Sequence, residues 1–230
     1  MTKREQAKLL EPVAIVPAIL SQSLADLRQK LAALGPWAKR VHVDIADGQF
    51  VANGTLTYTE MAPFLADSNL ALELHLMVAD PWPVVEAAAA ARLHRILLHV
   101  ETGIRPPEIF QKLASGLPLG LVFNLQSGWG EWQSELPRLP AVMLMAIEAG
   151  WQGQPFVPEV LEKLRLLTEL APEANRIIDG GVNEQTLPSL VRNGATELIV
   201  GSSFWKKPDQ KTTFYELCAL ASASQGHEAN

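Results

Sequence analysis

Hydrophobic and polar positions follow two rhythms that alternate along the chain. Short runs rich in Val, Ile and Leu begin at Val13 ("VAIVPAIL"), Arg40 ("RVHVDI"), Ala71 ("ALELHLM"), Arg95 ("RILLHV"), Pro118 ("PLGLVFN"), Ala141 ("AVMLMAI"), Asn175 ("NRIID") and Glu197 ("ELIVGS"). They read as strands. Between them apolar residues recur at i, i+3 and i+4, the spacing of one helix face. "SLADLRQKLAAL" opens on Ser23 as N-cap, and "FVPEVLEKLRLLTEL" puts Val160, Leu161, Leu164 and Leu167 on one side. Further helices are predicted at "WPVVEAAAAAR", "PEIFQKLAS", "NEQTLPSLVRN" with Asn183 as N-cap, and "TFYELCALAS".

Strands alternating with helices imply right-handed βαβ units and a parallel sheet. Eight such units in 230 residues fit a single-domain α/β fold, the closed (β/α)8 or TIM barrel. An open doubly wound sheet is the alternative, but "PAILSQS" after the first strand is not a glycine-rich phosphate loop. The barrel is expected over residues 13–222, after an N-terminal extension of residues 1–12 and before a frayed C-terminal tail, residues 223–230.

One strand breaks the apolar rule. In "VHVDIADG", Val41, Val43 and Ile45 form one row, while His42, Asp44 and Ala46 form the other. Two inward polar groups would each cost a few kcal/mol unless satisfied. Active sites of barrels collect at the carboxyl ends of the strands, where His75 and Met77 end the third strand and Asp179 ends the seventh. His42, Asp44, His75 and Asp179 would then converge on one mouth, and a divalent cation would satisfy all four. Taken singly, such residues are ordinary: a strand histidine is usually a hydrogen-bonded core group, and Asp before Gly, as at Asp47 and Asp179, is usually a turn residue. His94 and His227 read as solvent-facing, His99 is not assigned as a ligand, and Cys218 reads as a small buried hydrophobe.

Late in the chain, glycine-bearing loops follow three successive strands: "EAGWQGQ" from Glu148, "DGG" from Asp179 and "VGSS" from Val200. Any one could be a plain turn. Together they occupy the quadrant where barrels bind phosphate through backbone N–H groups, with no lysine or arginine required.

Composition narrows the partners. Net charge is −6 with no basic cluster, which argues against nucleic acid. The single cysteine suits a reducing compartment, and no apolar run is long enough for a signal peptide or a membrane span, so a cytoplasmic location is expected. Six tryptophans are compatible with a homo-oligomeric interface without locating one.

At this point the chain resembles the ribulose-phosphate 3-epimerase family. The matching stretches are "PAILS" from Pro17, "HVDIADGQFVAN" from His42, "HLMV" from His75, "MAIEAGWQGQ" from Met145, "DGGV" from Asp179 and "VGS" from Val200, in the family's order. The resemblance implies a metal-dependent 3-epimerase of a ketose phosphate, D-ribulose 5-phosphate/D-xylulose 5-phosphate or a related sugar phosphate, working through an enediolate. It implies one divalent ion on His42, Asp44, His75 and Asp179, with zinc expected first and iron(II), manganese(II) or cobalt(II) as alternatives. Asp44 and Asp179 inherit the acid and base roles. Gly150, Trp151, Gln152, Gly153, Gly180, Gly181, Gly201 and Ser202 would hold substrate and its phosphate, with Ala18, Ala46, Met77 and Met145 as pocket wall.

The sequence departs from the family around those ligands. Ala18 replaces a serine, Ala46 a methionine, Gln49 a histidine, Ala52 and Ala149 prolines, and Trp151 with Gln152 a Phe-Gly pair. A non-catalytic or drifted sugar-phosphate-binding member of the same barrel family is therefore the alternative reading. A Schiff-base or Asp-X-Lys-X-X-Asp barrel enzyme is disfavoured, because "DIAD" carries no lysine.

Overall fold

A computed structural model describes residues 11–150 and 153–225. Eight parallel strands close into a barrel in sequence order, β8 pairing back onto β1. They are β1 (Ala14–Ile19), β2 (Arg40–Ala46), β3 (Ala71–Met77), β4 (Leu93–His99), β5 (Leu119–Phe123), β6 (Ala141–Met145), β7 (Asn175–Asp179) and β8 (Glu197–Val200). The helices are α1 (Leu24–Leu34), α2 (Tyr58–Asp67), α3 (Trp82–Ala88), α4 (Pro106–Ala114), α5 (Val160–Leu170), α6 (Leu187–Arg192), α7 (Ser202–Trp205) and α8 (Gln210–Gln225). Only 3-10 turns, Gly130–Trp132 and Leu136–Arg138, stand between β5 and β6.

The two rows of each strand serve two cores. Val41, Val43 and Ile45 of β2, with Leu72, Leu74 and Leu76 of β3, face outward and pack with Leu27, Leu34, Leu164 and Leu167 of the helices. A fully buried leucine such as Leu74 contributes roughly 2 kcal/mol of apolar transfer. The inward row builds a second, smaller cluster inside the barrel, including Val16, Leu97, Val122, Met143, Ile177 and Ile199. Below it, Arg95 reaches across the barrel to Glu197 (2.9 Å), which also pairs with Arg40 (2.7 Å).

Local signals explain most helix starts. Ser23 accepts from Asp26 N as the α1 cap. Thr57 and Glu60 form a capping box at α2, a helix the apolar spacing did not predict. Three expectations need correction. The N-cap of α6 is Thr186, because Asn183 instead folds a turn, its Oδ1 accepting from the Gln185 and Thr186 amides at 2.9 and 3.1 Å. The alanine-rich helix stops at Ala88, and β4 begins at Leu93, ahead of the expected Arg95. The last helix runs through Gln225, whose amide donates to Glu11 O, so residues 223–225 of the expected tail are helical rather than frayed. Among the described residues no helix is long and apolar enough to cross a membrane.

Candidate metal centre and active-site mouth

Strand register assembles the site. Parallel pairing sets His42 beside Glu73, Asp44 beside His75, and Met145 beside Asp179. Because these are inward positions, one ligand atom from each of His42, Asp44, His75 and Asp179 lies within 4.8 Å of the others. His75 Nδ1 is 3.0 Å from Asp44 Oδ1 and 3.7 Å from Asp179 Oδ2. His42 uses Nδ1 for Glu73 Oε1 at 2.8 Å, which turns Nε2 toward Asp44 Oδ1 at 3.3 Å. That Nε2 is buried and has no hydrogen-bond partner among the described residues.

The electrostatics describe a site short of positive charge. Burial opposes a charged His42, yet the adjoining carboxylates of Asp44 and Glu73 carry its pKa up to about 10. Burial likewise opposes ionised Asp44, but His42 and His75 hold it well below the usual carboxylate range. Burial together with the negative charge of Asp44 raises Asp179.

The residues fit a divalent ion. Two imidazole nitrogens and two carboxylates are the mixed N/O donor set of first-row ions, and an orphaned ring nitrogen aimed into the cluster is an open ligand position. The Glu73, His94 and Glu197 group is also compact, but Arg40 and Arg95 already neutralise it.

Above the cluster opens a cavity of about 490 Å³, lined by Asp44, Met77, Met145 and Asp179 at its floor and by Gly150, Gly153, Gly180, Gly181, Gly201 and Ser202 on one side. Trp151 and Gln152 lie outside the described residues. Ala18 and Ala46 are buried in the inner cluster rather than lining the cavity. Ala18 instead presents its carbonyl to Trp205 Nε1 at 2.6 Å. Two lysines that sequence reading passed over, Lys206 and Lys207, reach the rim, and Lys207 pairs with Glu184 at 2.6 Å. Asp47 is the turn residue its Asp-Gly context suggests: its carboxylate accepts from the Gln49, Phe50 and Ala79 amides.

The family model described as the "Ribulose-phosphate 3 epimerase family" matches residues 14–205, nearly the whole barrel. The chain belongs to the ribulose-phosphate 3-epimerase family. As a member of it, the protein is an epimerase and hence an isomerase. It is 30% identical over 205 residues to the ribulose-phosphate 3-epimerase of Chlamydia muridarum, covering 85% of this chain and 89% of that one. Against the Bacillus subtilis ribulose-phosphate 3-epimerase the identity is 28% over 212 residues, covering 89% and 98%. Solved structures of other barrels share the fold alone. A thiamine phosphate pyrophosphorylase from Pyrococcus furiosus superposes with a TM-score of 0.62 at 17% identity, covering 98% of this chain and all (100%) of that one. A mutant tryptophan synthase α-subunit from the same organism gives 0.63 at 15%, covering 94% and 99%.

Two polar residues of this epimerase that sequence reading missed, Glu73 and Glu101, stand behind the metal candidates together with His99, which was not assigned as a ligand; they lie on β3, in the turn after β4 and on β4. Glu73 was legible, since it shares the inward row of His75 in "ALELHLM".

Proposed function

We propose that this epimerase inverts carbon 3 of a ketose phosphate, D-ribulose 5-phosphate/D-xylulose 5-phosphate or a related sugar phosphate. His42, Asp44, His75 and Asp179 would hold one divalent ion, zinc first on the imidazole–carboxylate donor set, with iron(II), manganese(II) or cobalt(II) as alternatives. When bound, that ion supplies Lewis-acid polarisation of the ketone, which makes the neighbouring C–H more acidic.

The chain's own groups do the proton work. Asp44 comes from β2 and Asp179 from β7, so their carboxyls reach the cavity floor from different sides of the barrel. One takes the proton from carbon 3, leaving a planar enediolate, and the other returns a proton to the opposite face. Met77 and Met145 wall the floor and exclude water, which keeps these interactions strong. The glycines at 153, 180, 181 and 201, with Ser202, offer a phosphate-sized recess, and Lys206 and Lys207 add positive charge at its rim.

The convergence of four separate side chains within 4.8 Å carries this reading. The test is deuterium wash-in at carbon 3 of D-ribulose 5-phosphate in heavy water, with zinc-loaded protein. Wash-in with formation of the epimer is the expected result. Tight binding without exchange across pentulose and hexulose phosphates would favour the drifted binding member instead.

A further inference from the structure

The candidate ligand His75 is held from behind by a chain of buried groups. Its Nε2 lies 2.9 Å from His99 Nε2, and His99 Nδ1 lies 3.0 Å from Glu101 Oε2. Both histidines are fully buried, and the Phe50 ring packs on His99 at 4.7 Å between centroids. The other Glu101 oxygen accepts from the Asn124 amide at 2.9 Å and from Ser127 Oγ. Lys163 Nζ in turn fixes that loop, donating to the carbonyls of Asn124 (2.6 Å) and Ser127 (2.7 Å).

Proton counting gives this chain a direction. Two imidazole nitrogens 2.9 Å apart share one proton: with two they collide, and with none their lone pairs repel. Glu101, anchored as an acceptor, requires His99 to carry its proton on Nδ1. A neutral imidazole has only one, so His99 Nε2 is bare and must accept. The proton between the rings therefore sits on His75 Nε2. That leaves His75 Nδ1, the nitrogen facing Asp44 and Asp179, as the one whose lone pair is presented to an incoming ion.

We propose that Glu101 and His99 are positioning residues, a two-step relay that fixes the ring orientation and tautomer in which His75 ligates through Nδ1. The proposal rests on the metal-centre reading above. His42 has the one-step equivalent, since Glu73 takes its Nδ1 directly and leaves Nε2 for the ion. The two histidines thus ligate through different nitrogens, each set by a carboxylate behind it. Outer partners of this kind typically govern 10–100-fold in metal affinity.

The experiment pairs two readouts. Nitrogen-15 spectra of histidine-labelled, metal-free protein report the tautomer of His99 without any variant, and competition with a colorimetric chelator reports zinc affinity. The expected spectrum has His99 protonated at Nδ1 and bare at Nε2. In Glu101→Gln the amide can donate to Nδ1, so His99 shifts toward the Nε2–H form and zinc binding weakens about 10–100-fold. Ser127→Ala removes one anchor of Glu101 while leaving the relay, and its zinc affinity stays close to that of the parent, because the Asn124 amide still holds the same oxygen. An Nε2-protonated His99 in the parent protein overturns the relay, as does parental zinc affinity in Glu101→Gln. Failure of the parent protein itself to bind zinc is a different result, which refutes the metal centre and the relay with it.

Discussion

Replacing Gly181 by alanine tests how tightly the mouth of the barrel is built. Gly181 sits at φ +65°, and a Cβ placed there would lie 2.8 Å from Phe156 Cα and 2.9 Å from Phe156 Cβ. The nearest atom is backbone, which cannot rotate aside, so the segment carrying Phe156 must retreat by roughly half an ångström, an overpacking cost of about 1–3 kcal/mol. The left-handed backbone adds about 1 kcal/mol for a residue with a side chain. Gly48 separates the two contributions, because it has φ +75° but nothing within 4 Å of its ideal Cβ. Gly48→Ala should therefore cost only about 1 kcal/mol, and Gly181→Ala about 2–4 kcal/mol. At about 2–4 °C per kcal/mol for a domain of this size, thermal unfolding should fall by a few degrees in the first and roughly 5–15 °C in the second. Gly181 also lines the active-site cavity, so KM for the ketose phosphate should rise in that variant and not in Gly48→Ala. Equal losses in the two variants would show that crowding against Phe156 contributes nothing.

Asp179→Asn keeps the shape of the side chain and removes its capacity to exchange a proton. Deuterium wash-in should drop at least about 100-fold with the circular dichroism spectrum unchanged, and undiminished exchange would remove Asp179 from the chemistry. Zinc affinity should rise with pH, because His42, raised to about 10 in the metal-free protein, must lose its proton to ligate. Calorimetry in buffers of different ionisation enthalpy should register that release, and zero proton release would contradict the charge state assigned to the cluster. Lys163 is lowered from 10.5 to about 8 by burial, so between those values the unfolded chain binds more protons and stability rises with pH. Denaturant unfolding from about pH 8 to 10 should show this rise, reduced in Lys163→Met; identical slopes would contradict the shift.

The barrel was legible because the strand period and the polar interruptions coincided: His42, Asp44, His75 and Asp179 all fall on inward rows of β2, β3 and β7. α2 was not, because Pro63 interrupts "YTEMAPFLAD", although Thr57 and Glu60 carried a readable capping box. The boundary at α3 moved because alanine propensity extends a helix that the chain must leave in time to enter β4 at Leu93. Asn183 was misread since the residue that begins a turn and the residue that caps a helix share the same side-chain chemistry. His99 and Glu101 were out of reach for a different reason: their role depends on which ring nitrogen faces which neighbour, and spacing carries no such information. The wall positions Ala18 and Ala46 were placed by analogy, but their small side chains end within the inner core.

The most direct measurement is anomalous diffraction at the zinc edge from crystals of the zinc-loaded protein. The expected result is one strong peak among His42 Nε2, His75 Nδ1 and the carboxylates of Asp44 and Asp179, with each donor about 2.0–2.2 Å from the ion. A peak elsewhere, such as among Glu73, His94 and Glu197, or none at this cluster in protein that retains epimerase activity, would contradict it.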